Sequence, residues 1–388
     1  MSSSRTWAEV SLSALRHNYE LIRDCVAPHA VVCAVVKCDA YGHGAVACAR
    51  TLEEAGATWF AVTCTDEGVE LRRAGIRGRI LLLSGMLAGE AEAVVEHRLT
   101  PAVWLPEHLQ ELERVLSRNG GRKFPVHVAI DTGMAREGVP LSRLSVLLQA
   151  LRASSSICVE GLHSHFASAE VTDAEDVQRQ LANYRLALNE MIASGFPPAC
   201  VHLANSAAII TEASSWRRIA DHEAESLVRP GIALYGYNLP LSDKQGAPCD
   251  GKALPVTPVL SWKTRVIDLR EVPPGQAIGY NGTYTAPAAA RIATLSVGYG
   301  DGLSRQLSSR GCVLVRGELA PIVGRVSMDL TTIDVTNIPG VQLGEEAVLI
   351  GRQGNREITA WDICRLTGTI PYEVLCQIGK RVPRIEAV

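Results

Sequence analysis

The chain has no CxxC pair, no run of basic residues and no apolar stretch approaching the ~20 residues of a membrane span. Its eleven cysteines are scattered, and Cys33, Cys64 and Cys158 fall in apolar runs where a thiol behaves as a small hydrophobe. That argues against a disulfide framework or a structural zinc and for a reducing compartment. With a net charge of −3 and no interleaving of basic and aromatic residues, nucleic acid is not expected as a partner. The opening MSSSRTWAEV lacks the apolar core of a signal peptide, so a cytoplasmic location without membrane association is expected. No internal repeat or low-complexity segment stands out, and no GxGxxG follows an apolar run. What is present is ample material for a core: 388 residues, 47% hydrophobic and 20% charged, enough for two domains.

From about Ser11 to Gly236 short apolar runs alternate with segments of helical periodicity. The runs are Val31–Val36, Trp59–Thr63, Ile80–Leu83, Pro101–Trp104, Pro125–Ile130, Ile157–His163, Val201–Ala204 and Ser226–Leu234. Between them lie spacings such as Leu109, Leu112, Val115 and Leu116, or Leu181, Tyr184, Leu188 and Ile192, with Ser11 and Asp173 as helix-start signals. This predicts an α/β fold, a (β/α)8 TIM-like barrel over residues 1–240. The stretch Asn238–Pro258, rich in Pro, Gly, Asp and Lys, reads as an exposed boundary. Beyond it a mainly β C-terminal domain, residues 241–388, is expected. Its strands fall near Val259–Val272, Ile292–Val297, Cys312–Arg316, Leu330–Val335 and Ala347–Gly351, with one helix, Thr359–Thr367, capped by Thr359.

The barrel is organised around VVCAVVKCDAYGHG, residues 31–44. A continuous apolar run reads as a strand buried on both faces, and Lys37 stands at its end. Alone, such a lysine reads as a side chain snorkelling into water. At the mouth of a buried strand, however, desolvation favours the neutral amine that Schiff-base chemistry needs. Other polar residues fall at strand ends, where barrel active sites collect. Arg136 follows Ile130-Asp131-Thr132-Gly133-Met134-Ala135, His163 and His165 close another strand, Asn205 and Ser206 a third, and Arg229 precedes Pro230-Gly231-Ile232. His163 and His165 share a strand face, but no third ligand with convincing spacing accompanies them, so no metal is expected. The ring suits pyridoxal phosphate. Lys37 would hold its aldehyde as an imine, and Ser206 with the backbone N–H groups near Gly231 and Ile232 would cradle the phosphate. Arg229 would face the pyridine nitrogen as a donor that cannot give up a proton, a choice that suits racemisation better than transamination.

The order and spacing of AVVKCDAYGHG (34–44), DTGMAREG (131–138), HSHFASAE (163–170), HLANSAA (202–208), VRPGIALYG (228–236), GYNGTYTA (279–286), SVGYGDGL (296–303), PIVGRVSMD (321–329) and GTIPYEVLCQIGKRVPR (368–384) resemble the alanine racemase family along essentially the whole chain. The resemblance implies a PLP enzyme that interconverts L- and D-alanine with two bases, Lys37 and Tyr280. The latter comes from the second subunit of a homodimer with shared active sites. His165, tied to Arg229, is the implied relay for the tyrosine. Tyr41, Ser206, Gly231, Ile232 and Tyr372 match phosphate-binding positions. Arg136 matches the arginine that meets the cofactor's phenolic oxygen and the substrate carboxylate. The Met328 N–H matches a carboxylate-binding amide, Asp329 and Tyr299 line the substrate side, and Asn205 supports the histidine. D-Alanine supply for peptidoglycan is the implied role in a bacterium.

The chain departs from the family at Ala129, where many members carry a carbamylated lysine that holds the arginine. GMAR also replaces GMGR, and Ser327 precedes Met328 where some relatives have cysteine. Three other functions fit part of the pattern. A serine or broad-specificity racemase would use the same machinery and is separated by a panel of amino acids. A PLP-dependent decarboxylase would need a catalytic cysteine in the β domain and an acidic partner for the pyridine nitrogen, which Arg229 replaces. A non-catalytic PLP-binding protein would lack the second domain.

Overall fold

The computed structural model describes residues 4–117, 123–172, 174–217, 219, 223–249 and 253–387. The chain divides into two units, one of Ser13–Ala40 and Ala45–Thr257, the other of Met1–Leu12, Tyr41–Gly44 and Pro258–Val388.

The first unit is the closed barrel. Its strands are Val31–Val35, Trp59–Val62, Arg79–Leu82, Thr100–Val103, Phe124–Asp131, Ile157–His163, Cys200–Asn205 and Glu225–Arg229. Each pairs in parallel with its neighbours, and Leu227 and Val228 opposite Val31 and Val32 close the ring. Strands of a parallel barrel are covered on both faces, which is why they appear in sequence as unbroken apolar runs. The helices bury one stripe each. Leu12–Val26 turns Leu15, Tyr19, Ile22 and Val26 inward, and Pro106–Leu116, begun by its proline, buries Leu109, Leu112 and Val115. The long helix runs Glu175–Ala193 and buries Leu181, Tyr184 and Leu188, while Ile192 is 36% exposed. Asp173, expected at its start, lies outside the described residues. The last run, expected to continue to Leu234, ends as a strand at Arg229, and Ile232–Tyr235 form a 3-10 turn.

One sector of the barrel interior departs from the branched aliphatic filling usual for this fold. Strand residues His127, His163, His202 and Arg229 are all buried there.

The second unit is mainly β. Its longest strand, Leu260–Val272, pairs antiparallel with Thr6–Val10, Glu346–Gln353 and Ala290–Leu295. Register shifts at Trp262/Lys263 and at Val266/Asp268 bend it so that it can serve three partners. Strand Thr6–Val10, which the sequence reading placed in the barrel region without a role, also pairs in parallel with Arg384–Glu386. Two helices occur rather than one. Ala360–Thr367 carries the expected cap, and Pro371–Cys376 is too short for periodicity to reveal.

At the start of Ala360–Thr367 the Thr359 hydroxyl accepts from the Asp362 N–H, and the Asp362 carboxylate accepts from the Thr359 N–H at 2.7 Å. This reciprocal pair satisfies two donors that the first helical turn leaves open. Thr359→Ala is therefore expected to cost about 1 kcal/mol, and Thr359→Ser to restore most of it. Urea-unfolding midpoints of the two variants measure both.

Candidate active site

Lys37 sits half-buried directly after strand Val31–Val35. The chain then makes a left-handed helical turn, with φ of 53° at Cys38 and Asp39 and 54° at Ala40 and Tyr41. None of these is glycine, and each residue in that conformation costs roughly 1–2 kcal/mol. Side-chain carboxylates hold the barrel end of the turn. Glu67 accepts from the Cys38 N–H at 2.6 Å with one oxygen and from the Thr63 N–H at 2.7 Å with the other. Asp39 accepts from the Ala45 N–H at 2.7 Å. The sequence reading had only a loop here.

Arg229 ends its strand with the guanidinium inside the barrel. Its NH1 donates to His202 Nδ1 at 2.7 Å, and its NH2 to the Ser164 carbonyl at 2.6 Å and to His165 Nδ1 at 3.3 Å. No carboxylate oxygen pairs with it among the described residues, and burial pushes it down to about 10. His165 is pushed down to about 3, first by burial and then by the charges of Arg229, Arg136 and Lys37. Of these only Arg229 is in hydrogen-bond contact with the imidazole. Gln180, which sequence reasoning missed, holds that segment. It donates to the His165 carbonyl at 2.9 Å and to Thr132 Oγ1 at 3.2 Å, and accepts from the Ala167 N–H at 2.9 Å.

Arg136 leaves a loop shaped by Asp131, whose Oδ1 accepts from the N–H groups of Gly133, Met134 and Ala135 at 2.9, 3.0 and 3.1 Å. Its NH2 meets Glu137 at 3.1 Å. Ser206 stands against the turn after Arg229, accepting from the Gly231 N–H at 2.9 Å and the Ala233 N–H at 3.3 Å. Asn205 accepts from the Ala208 N–H at 3.0 Å, so its carboxamide caps the following turn rather than touching His165.

In the β unit Tyr41 and Tyr372 are neighbours, their ring centroids 5.8 Å apart. Met328, Asp329 and Tyr299 also share one corner. The Tyr299 N–H donates to the Ser327 carbonyl at 2.9 Å and the Gly300 N–H to the Met328 carbonyl at 2.9 Å. Arg381, not singled out from sequence, clamps this corner with Nε to Asp301 at 2.7 Å and NH2 to Asp329 at 2.8 Å. Gly298 is needed here, because a Cβ would lie 2.3 Å from the Ser327 carbonyl oxygen. Tyr280 follows Gly279 (φ 73°) in an outlying turn and is 70% exposed.

Three possible metal ligands, none of them anticipated, lie together in the barrel: the ligand atoms of His127, Cys200 and His202 fall within 4.8 Å of one another. His127 Nδ1 and His202 Nε2 are 2.8 Å apart, so they share a hydrogen bond. The guanidiniums of Arg229, bonded to His202, and of Arg79, bonded to the Glu160 that faces His127, are unfavourable neighbours for a cation.

A closed parallel barrel with a lysine and two arginines at or just after its strand ends, followed by a β unit, is the architecture of a two-domain barrel enzyme. Two family models match the chain, the alanine racemase N-terminal domain over residues 10–239 and the alanine racemase C-terminal domain over 259–386. The alanine racemase of Syntrophobacter fumaroxidans is 41% identical over 377 residues, 97% of this chain and 96% of that one. That of Symbiobacterium thermophilum is 42% identical over 382 residues, 98% and 96%. Among solved structures, the Bacillus anthracis alanine racemase with bound L-Ala-P has a TM-score of 0.88 at 34% identity, covering 100% of this chain and 96% of that one. The Bartonella henselae alanine racemase with covalently bound pyridoxal phosphate has a TM-score of 0.84 at 29% identity, covering 99% and 100%. The chain belongs to the alanine racemase family, and its activity is the interconversion of L- and D-alanine. Among the described residues no helix is long and apolar enough to cross a membrane.

The histidines make the barrel acid-sensitive. Burial holds His127 below 6.5 and His163 and His202 well below it, with His165 at about 3. The unfolded chain takes up protons near the ordinary value, which the folded barrel refuses. Stability is therefore fully present above about pH 6.5 and falls as pH drops below it, by up to about 1.4 kcal/mol per histidine per pH unit. Denaturation midpoints at pH 7.5 and 5.5 are expected to differ strongly in the wild type and less in His202→Gln; equal differences would contradict the assignment.

Proposed function

We propose that this racemase works with pyridoxal 5'-phosphate and two bases, Lys37 and Tyr280 of the partner subunit, in a homodimer with shared active sites. The single observation that carries the cofactor reading is the donor set at the barrel rim: Lys37 and Arg136 follow strand ends, Arg229 donates to His165, and the Ser206 hydroxyl stands against the turn amides of Gly231 and Ala233. Such a set of cations and N–H groups fits a phosphate and a phenolate oxygen. When bound, the cofactor supplies an electron-withdrawing ring that takes up charge as the amino acid's Cα–H bond breaks.

The protein supplies the rest. Lys37 would hold the cofactor covalently. Ser206, the N–H groups of Gly231 and Ile232, and the hydroxyls of Tyr41 and Tyr372 would hold its phosphate. Arg136 and the Met328 N–H would take the substrate carboxylate, with Asp329 and Tyr299 lining that side. Asn205 would contribute by fixing the turn into Ser206. Arg229 would donate to the ring nitrogen without protonating it.

Racemisation removes a proton from one face of Cα and returns one to the other, so a base must stand on each face. The Lys37 amine would serve one face and the Tyr280 phenol the other. Because an arginine can only donate, the Arg229–His165 contact leaves the neutral imidazole's proton on Nε2. That N–H would donate to the phenol oxygen and stabilise the negative charge it carries when it acts as a base. The exposure of Tyr280 and Met328, at 70% and 54%, supports a partner surface there. The C-terminal domain, residues 241–388, would thus serve the partner's site. Eleven cysteines without a disulfide among the described residues support a cytoplasmic location, where D-alanine would feed peptidoglycan synthesis.

Subunit mixing tests the shared site. Lys37→Ala and Tyr280→Phe homodimers are each expected to lose at least about 10²-fold in racemisation. Dimers re-formed from an equal mixture regain about a quarter of wild-type activity, because half are mixed and each mixed dimer keeps one intact site. No recovery in a mixture shown to contain mixed dimers would overturn the shared site.

A further inference from the structure

Among the described residues no carboxylate is hydrogen-bonded to the buried guanidinium of Arg229, yet a line of polar contacts leads from it to one toward the other end of the barrel. Arg229 NH1 lies 2.7 Å from His202 Nδ1, His202 Nε2 lies 2.8 Å from His127 Nδ1, and His127 Nε2 lies 3.5 Å from a Glu160 oxygen and 3.6 Å from Cys200 Sγ. Glu160 is bonded in turn by Arg79, whose guanidinium stacks on Trp59 at 4.4 Å from the ring centroid.

Elementary donor and acceptor rules order every proton on this line. Arginine has no acceptor, so His202 Nδ1 must accept. A neutral imidazole has one donor and one acceptor, so the His202 proton is on Nε2 and points at His127 Nδ1. His127 then carries its own proton on Nε2, directed at the carboxylate. Both rings are fully buried, which keeps them neutral, and all dipoles run one way from cation to anion. The backbone is shaped for this ring. Gly161 lies beneath His127, where a Cβ would come within 2.6 Å of its Nδ1 and Cε1. On Glu160, burial pushes the carboxyl up, but the His127 bond and the charge of Arg79 bring it below the usual range, so the line ends on an anion.

We propose that His202, His127 and Glu160 form a proton-ordered tether through the barrel that orients Arg229, with His127 and Glu160 as remote positioning residues for racemisation. The tether gives the guanidinium a distant counter-charge, and among the described residues no carboxylate is hydrogen-bonded to Arg229 itself, where an acid would supply the proton that arginine withholds. The functional part rests on the reading under Proposed function; the proton order does not.

Imidazole 15N–1H correlation spectra of the holoenzyme test the order directly, with assignments from His127→Gln and His202→Gln. Both rings are expected as Nε2–H tautomers that stay neutral between about pH 6 and 9. An Nδ1–H tautomer or an imidazolium at either ring would overturn the proposal, as would stoichiometric zinc in the purified enzyme displacing both N–H protons. Kinetics test the function. Glutamine at 127 can still accept and donate, whereas leucine cuts the line. His127→Leu is expected to lower kcat about 10-fold at unchanged KM for alanine, with His127→Gln within about 3-fold of wild type and equal Tm for the two. Equal kcat for the Leu and Gln variants would reduce His127 to packing and overturn the positioning role. If no amino acid were racemised but the tautomers were as stated, the tether would stand and the functional reading would fail.

Discussion

The interior is arranged around a charge that has no counter-ion bonded to it among the described residues. A guanidinium buried in a barrel loses its hydration, and that loss is tolerable only if every N–H finds an acceptor. Arg229 goes far toward this condition with two imidazole nitrogens and the carbonyls of Ser164 and Leu203, all reached from its two terminal nitrogens. The choice of neutral acceptors has consequences for the surrounding sequence. Histidines replace aliphatic residues on the strands around Arg229, glycine replaces a side chain at position 161, and a glutamine at 180 fastens the segment that presents His165. An alanine racemase that placed a carboxylate against this arginine would satisfy the charge more cheaply, at the expense of a local proton source.

The turn after Lys37 is the second place where local preference is overridden. Four consecutive non-glycine residues hold positive φ, a state the chain would abandon if it were free. Glu67 counters this from the first turn of the helix Thr65–Arg73 by bonding both the Thr63 N–H and that of Cys38. The lysine is thereby delivered from a backbone that cannot relax into an ordinary right-handed turn, and its direction is set before any ligand arrives. The strain and its restraint lie together at the residue that bears the chemistry.

Much of this was legible in the residues and some was not, for physical reasons. The eight barrel strands could be read because strands covered on both faces must be apolar throughout, and Lys37, Arg136, His165 and Arg229 stood out because polar residues interrupt those runs at one end. The Thr359 helix was legible from its cap. Strand Thr6–Val10 was not, since its reason for existing is a partner some 250 positions away, in the register Thr6 opposite Thr264. The left-handed turn left no glycine signature. Gln180, Arg381, His127 and His202 are ordinary helix, loop or strand residues in one dimension. Only the folded barrel makes neighbours of His127 and His202, and only the folded β unit joins Arg381 to Asp301 and Asp329.

Ala129 raises the question of what orients Arg136 in place of the modified lysine that the family resemblance leads one to expect. Glu137 meets the guanidinium at 3.1 Å, but the arginine side chain is 52% exposed, and an ion pair open to solvent on one side contributes at most about 1 kcal/mol. The backbone is the stronger restraint. Asp131 gathers three successive N–H groups, fixing the loop from Gly133 to Ala135. Gly138, at φ 101°, brings the chain back so closely that a Cβ would lie 2.6 Å from the Asp131 nitrogen. Both ends of the loop are thus pinned to the strand end, and Arg136 is presented by the shape of its own loop. In this chain a carboxylate acting on main-chain amides fixes the backbone from which Arg136 extends, with no side chain at position 129 large enough to reach it.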